Sequence, residues 1–193
     1  MKTLRLCLIS LLFLSLCLQS CDEDDATNTC TGGNFNFLTV GNQWESSFFG
    51  SFFADDTLLM AEVLEEPEPG VFKLRTWSEP DNDLDDTYYL QDCGDYMLRS
   101  KNLPIMPDDK YMKANRAVGD AWSYTDRVTN VTSNYEVLEK NVSVTTPAGT
   151  FVADKISYYQ TGAFNTDTMF ISNDVFFVKY EGIIQYELIS KNF

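Results

Sequence analysis

Glu62, Glu65, Glu136 and Glu139 are the carboxylates whose spacing invites chemistry, because the same Glu-Val-Leu-Glu tetrad occurs twice. Two carboxylates across a cleft can hydrolyse a glycosidic bond, one as acid and the other as base or nucleophile. In a β-strand, however, residues three apart point to opposite faces. At most one glutamate of each tetrad would then face a concave surface. A second acidic set, Asp81-Asn82-Asp83-Leu84-Asp85-Asp86, alternates carboxylates as a calcium loop does. An EF-hand-like loop needs Gly at its sixth position and Glu at its twelfth, and here Asp86 and Asp92 stand there. This stretch reads as an acidic turn between strands, and neither a metal nor a cofactor is expected. The chain has no histidine, which excludes Ser-His-Asp and Cys-His catalysis and histidine-containing zinc sites. No catalytic residue is assigned.

Binding chemistry has more candidates. Trp44, Trp77 and Trp122, with the many Tyr and Phe residues, could form a sugar-stacking or apolar-ligand surface, but Trp44 and Trp122 occupy equivalent positions in two similar motifs and so read as core. Phe48, Phe49, Phe52 and Phe53 bracket Gly50-Ser51, and alternation puts aromatics on both faces of such a segment. They are the candidate ligand or partner surface. The net charge of −15 repels polyanions, so nucleic acid is excluded as a partner.

The elements that must carry these residues are strands. Phe176, Val178 and Tyr180 alternate with Phe177, Lys179 and Glu181, and after Gly182 the residues Ile184, Tyr186 and Leu188 alternate with Gln185 and Glu187. That is a hairpin with a tight turn. Val142 and Val144 lead into a second turn at Thr146-Pro147-Ala148-Gly149, and Phe151, Ala153, Ile156 and Tyr158 leave it. The change of spacing after Ala153 suggests a bulge.

Motifs also recur in order. Val40-Gly41-Asn42-Gln43-Trp44 returns as Val118-Gly119-Asp120-Ala121-Trp122. Gly70-Val71-Phe72 returns as Gly149-Thr150-Phe151, and Asp86-Thr87-Tyr88-Tyr89 as Asp167-Thr168-Met169-Phe170. Together with the Glu-Val-Leu-Glu tetrads, these matches predict two related β units, about 36–100 and 118–193. The linker over 101–117 contains Pro104 and Pro107 and then enough helical character for one short helix. Because a few antiparallel strands cannot bury their apolar face alone, the predicted fold is all-β: an antiparallel sheet from two related halves, forming an open or half-closed barrel, or alternatively a β-sandwich.

Residues 1–20 read as a secretory leader, with Lys2 and Arg5 ahead of an apolar run from Leu6 to Leu18 that is too short to span a bilayer as a resident helix. Leu18-Gln19-Ser20-Cys21 resembles a bacterial lipobox, Gln19 being a mild departure. The resemblance implies cleavage before Cys21 and acylation of its thiol, palmitate being a typical acyl group. The alternative is an ordinary signal peptide with a chance cysteine. Asp22-Glu23-Asp24-Asp25 resembles the surface-export signal of Bacteroidetes lipoproteins, which implies an outer-membrane lipoprotein at the cell surface. The periplasmic face is the alternative, and in proteobacteria Asp22 would instead suggest inner-membrane retention. Residues 21–35 read as an acidic flexible tether.

Of five cysteines, Cys7 and Cys17 leave with the leader and Cys21 takes the lipid. Cys30 and Cys93 remain, as one disulfide or as two free thiols.

The second unit resembles a group of uncharacterised Bacteroidetes lipoproteins that share a G-x-x-W opening, a V-P-A-G-T-F hairpin and a terminal strand pair. Here these are Gly119-Asp120-Ala121-Trp122, then Val144-Thr145-Thr146-Pro147-Ala148-Gly149-Thr150-Phe151, then Val178-Lys179-Tyr180 and Tyr186-Glu187-Leu188. Thr146 stands where that group usually has valine. The resemblance implies an antiparallel β fold and an envelope location, and no activity. Three functions remain open: a non-enzymatic binding or accessory module of the envelope, a carrier or sensor of an apolar ligand in a half-barrel, and a carboxylate-dependent hydrolase. The partners expected are the membrane, through the lipid, and an envelope protein, a glycan or an apolar ligand.

Overall fold

A computed structural model of the chain describes residue 30 and residues 32–50, 57–80, 84–182 and 184–193, with Phe49 and Gly50 described through their backbone alone. The leader, Cys21, Phe52, Phe53 and Asp81 to Asp83 lie outside the described residues. Twelve strands make up the regular structure: β1 (Gln43–Gly50), β2 (Leu58–Glu68), β3 (Val71–Glu79), β4 (Asp85–Cys93), β5 (Tyr96–Ser100), β6 (Lys110–Lys113), β7 (Ala121–Thr125), β8 (Thr132–Thr146), β9 (Gly149–Gln160), β10 (Asp167–Ser172), β11 (Phe176–Glu181) and β12 (Ile184–Lys191). No helix occurs among the described residues.

The strands form one antiparallel sheet in the order β6-β5-β4-β3-β2-β1-β12-β11-β10-β9-β8-β7. Each half of the chain is a meander of six strands, and the halves join where β1 pairs with β12. The free edges, β6 and β7, come to lie side by side. The sheet is therefore a nearly closed barrel. This closure corrects one expectation: Lys110–Lys113 is a strand, where the linker over 101–117 was predicted to hold a short helix. Tyr111 and Met112 are both buried there, and pairing with β5 outweighs the local helical preference.

Side chains close the seam that no backbone ladder joins among the described residues. Trp122 Nε1 donates to the Tyr111 carbonyl at 3.1 Å, and the rings of Tyr111 and Tyr124 meet edge to face at 5.3 Å. Trp122→Phe removes a buried donor and leaves that carbonyl unpaired. It is expected to cost about 2 kcal/mol, measured by urea denaturation; an unchanged midpoint would show that the seam does not need the indole.

The halves carry the same local devices. Gly41 N donates to Val63 O (2.8 Å) and Val63 N to Asn42 O; Gly119 N donates to Val137 O (2.9 Å) and Val137 N to Asp120 O. Both glycines have positive φ, 89° and 85°, which a β-branched or bulky residue adopts only with strain. Bulges follow Val63 on β2 and Val137 on β8. They reverse the expected side-chain parity. Glu65 pairs with Lys73 and Glu139 with Lys155 on the outer wall, and Gln43 donates to Glu62. With Glu136 also exposed, none of the four glutamates faces the interior, and the hydrolase arrangement does not form. Arg75–Asp85 and Lys179–Glu181 add further ion pairs to that wall. Charges so placed would be costly in hydrocarbon, so the wall faces water.

The core begins earlier than the polar composition of 21–35 suggests. Asn34 N and Phe35 N donate to Asp92, itself buried, and Phe35, Phe37 and Leu38 are buried. A disulfide joins Cys30 to Cys93 in the same region. Residues 34 and 35 thus belong to the folded body, because capping the barrel end removes their apolar neighbours from water. Asn36 ties the plug to the other half through Asn173 O and Asp174.

Candidate functional site

Along six strands the interior changes character in a single step. The fully buried Leu90, Met97, Val137, Ile156, Val178 and Leu188 form a dry lower layer with Phe37. Two residues further along each strand, on the same face, stand Tyr88, Arg99, Tyr135, Tyr158, Tyr180 and Tyr186. Because the antiparallel strands alternate in direction, all six steps lead to the same end of the barrel. There they surround a cavity of about 400 Å³, joined by Tyr111 and Tyr124 and by Ser46, Thr76, Ser133 and Gln160. Seven of the ten tyrosines line it, so tyrosine is used in this chain chiefly to build one wall.

The floor is aromatic. Phe37 stacks on Phe176 at 4.9 Å and meets Trp44 edge to face at 5.7 Å, and both partners border the cavity. Phe176 has a φ of +64°, a conformation that costs a bulky L-residue free energy. The stack with Phe37 and the contact of Phe177 at 4.2 Å hold it there. The mouth lies at the opposite end, beside Asp126, Thr129 and Val131 of the β7–β8 connection.

Arg99 is the cation of the cavity wall. Its guanidinium carbon sits 4.3 Å from the centre of the Tyr88 ring and 4.9 Å from that of Tyr111, a sandwich that favours the cation. The nearest carboxylate oxygen, Asp86 Oδ2, is 4.0 Å away, and the other oxygen of that carboxylate receives Lys101. Asp126 is engaged by its own turn, accepting from Val128 N and Thr129 N at 2.9 Å. Partial burial works against its charge, but those backbone amides prevail and hold its carboxyl below the usual range.

The phenols are kept neutral. Burial pushes Tyr88 up to about 12, the adjacent Arg99 holding the rise back, and Tyr124 likewise to about 12. Burial raises Tyr111, Tyr135 and Tyr186 too. In Tyr180 burial is reinforced by the Asp167 carboxylate, to which its hydroxyl donates. Among the described residues only Ser47 Oγ is a fully buried side-chain polar atom without a partner. Each phenol oxygen is therefore hydrogen-bonded or open to the cavity, where it can donate or accept.

The residues singled out by sequence are distributed otherwise. Phe48 is buried, its ring 6.4 Å from that of Tyr186. Phe49 is a strand residue paired with Gln185 through its backbone, and Phe52 and Phe53 lie outside the described residues. Trp77 lies against Arg75, whose guanidinium carbon is 5.0 Å from its ring centre. Asp85 and Asp86 serve Arg75 and Lys101, and the described residues hold no cluster of metal ligands. Composition suggests tyrosine only in general, as one of many aromatics able to stack on a ligand; the wall itself has a signal, an aliphatic residue and a tyrosine two apart with the order reversing from strand to strand, and Arg99 has none.

No family model matches the chain, and no curated protein matches it. Two solved structures do. A candidate lipoprotein from Parabacteroides distasonis ATCC 8503 is 17% identical and covers 82% of this chain and 98% of its own, with a TM-score of 0.43. A candidate exported protein with YmcC-like fold from Bacteroides fragilis NCTC 9343 is 12% identical and covers 82% of this chain and 99% of its own, with a TM-score of 0.54. At that identity the likeness is one of architecture: the tyrosine-lined barrel is similar in fold to the YmcC-like protein of Bacteroides fragilis.

Proposed function

We propose that the protein is a lipid-anchored, non-enzymatic module of the cell envelope that binds a small molecule in its barrel. The observation that carries this reading is the cavity itself: preformed, walled by rings and convergent polar groups, and of a size that suits a small ligand. The phenols and Arg99 make it unsuited to a purely apolar cargo, since an alkyl chain would leave these polar groups unpaired. The two halves are read as copies of one six-stranded unit, each supplying part of the wall.

The anchor fits this arrangement. Cys21 lies nine positions before Cys30, and Cys30 is fastened at the plugged end. A tether of that length reaches at most about 30 Å. With the lipid on Cys21, the closed end faces the membrane and the mouth points away from it, toward the medium for a surface-exposed outer-membrane lipoprotein. Cys21→Ala is expected to shift the protein from the membrane to the soluble fraction and to abolish palmitate labelling; retention in the membrane would overturn the anchor. Native mass spectrometry of the exported, unlipidated chain from Asp22 onward is expected to find a small-molecule mass that leaves on denaturation. A bare protein that also takes up no aromatic probe overturns the binding reading.

A further inference from the structure

Taking the cavity as a binding site, we propose that its ligand is a ring-bearing monoanion, whose carboxylate meets Arg99 while its flat body lies among the tyrosines. Three observations lead there. The first is the state of Arg99. Guanidinium carries five N–H donors in a planar fork, yet Arg99 is wedged between two aromatic faces, and its nearest carboxylate stands off at 4.0 Å and is shared with Lys101. One carboxylate thus serves two cations, and Arg99 does not have it to itself. A bidentate carboxylate is the group that fits the fork.

The second is the side pocket of about 200 Å³ between the β5–β6 and β7–β8 connections. It shares Arg99, Tyr124 and Asp126 with the main cavity and adds Lys101 and Arg127. On a chain with 14 cationic against 29 acidic residues, this mouth sets its three cations against Asp109 and Asp126, so the acidic excess of the chain is absent there. Arg127 is matched by Asp109 at 2.7 Å, so it shapes the approach and leaves Arg99 as the contact. The third is Asp126. Its carboxylate on the same wall opposes a second negative charge, which selects a monoanion over a dianion such as a phosphate monoester. The body of the ligand follows from the walls: the stacked Tyr180 and Tyr186, 5.3 Å apart and 5° from parallel, and the tilted Tyr135–Tyr158 pair present ring faces and edges, and neighbouring phenols supply hydrogen bonds.

The test uses two probes of nearly the same shape, 2-naphthoate and the neutral 2-naphthamide, titrated calorimetrically into the exported chain at neutral pH. Wild type is expected to bind the carboxylate one to one and about tenfold tighter than the amide. Arg99→Gln is expected to bring the carboxylate down to the affinity of the amide, with amide binding held within about twofold. Near-ultraviolet circular dichroism of the variant checks its fold. The wild-type comparison of the two probes stands without the variant. Equal affinity of wild type for both probes overturns the monoanion while leaving the binding cavity in place, and so does an Arg99→Gln loss that is the same for both. Binding of neither probe overturns the cavity reading itself.

Discussion

Arg116→Met is expected to destabilise the protein by about 3–5 kcal/mol, one of the two largest effects anticipated. The Arg116 side chain is 2% exposed and that of its partner Asp154 9%. Arg116 lies in the connection from β6 to β7, at the plugged end of the barrel. Its Nε donates to Asp154 Oδ2 at 2.8 Å, Nη1 to the Lys113 carbonyl at 2.6 Å and Nη2 to Asn173 Oδ1 at 2.8 Å. One side chain thus binds β9, the end of β6 and the turn between β10 and β11. Methionine fills much of the volume but leaves three acceptors with less than they had. Asp154 retains Lys140 at 3.3 Å and the Asn141 amide, which places the expected cost at the lower end of that range.

The comparison is Arg75→Met. Arg75 and Asp85 meet at 2.9 Å with side chains 40% and 43% exposed, and solvent screening of such a pair is expected to leave the urea midpoint of that variant nearly unchanged. Urea midpoints of both variants, with the slopes checked for constancy, decide the matter. Equal losses would show that burial does not set the value of these pairs.

That knot also marks where the two halves diverge and where sequence reading stops. The Val-Gly-x-x-Trp motif recurs in the sequence, and alternation together with the motif repeat is enough to arrive at an antiparallel sheet of two halves; the bulges after Val63 and Val137, which turn Glu65 and Glu139 out to Lys73 and Lys155, were not legible there. At the plugged end the halves part company. Seventy-eight positions before Arg116 stands Leu38, buried beside Phe35 and Phe37. One half seals its end with aromatic and aliphatic side chains, the other with an ion-paired network. Nothing in the spacing of Lys113-Ala114-Asn115-Arg116 announces this, because the partners Asp154 and Asn173 lie 38 and 57 residues away.

The cavity is a parallel case. Arg99 has ordinary neighbours in sequence and acquires its character only when β4 and β6 bring Tyr88 and Tyr111 to its two sides. The phenylalanine pairs around Gly50-Ser51 stand out in the sequence, whereas single tyrosines spread over seven strands do not. Their common direction depends on strand order, a property of the whole sheet and of no segment of it.

The tyrosine wall carries the second large expectation: cooperative unfolding between pH 10 and pH 12, well before the cavity phenols titrate in the native state. Burial raises Tyr88 and Tyr124 from an ordinary value of 10.0 to about 12. Below pH 10 both folded and unfolded chains hold these protons, so stability does not depend on them. Above pH 10 the unfolded chain releases them and the folded chain does not, and each such tyrosine favours unfolding by about 1.4 kcal/mol per pH unit until its folded value is passed. Tyr88 alone therefore removes about 2–3 kcal/mol by pH 12, and Tyr124, partly screened by water in the cavity, adds a smaller share, against a whole stability of about 5–15 kcal/mol for many domains. Tyr111, Tyr135, Tyr180 and Tyr186 are shifted the same way and add to the loss.

Tyrosinate absorbance near 295 nm and far-ultraviolet circular dichroism, followed together against pH, are expected to change in one steep step. Tyr88→Phe, which has no proton to release, should move that step to higher pH provided the variant is as stable as wild type at pH 7. A gradual rise of absorbance centred near pH 10 with the β signal intact would mean that the cavity hydrates its phenols as freely as bulk water does. The Tyr88–Arg99–Tyr111 sandwich would then hold Arg99 by its rings alone, and the preference for an anion would have to rest on charge without desolvation.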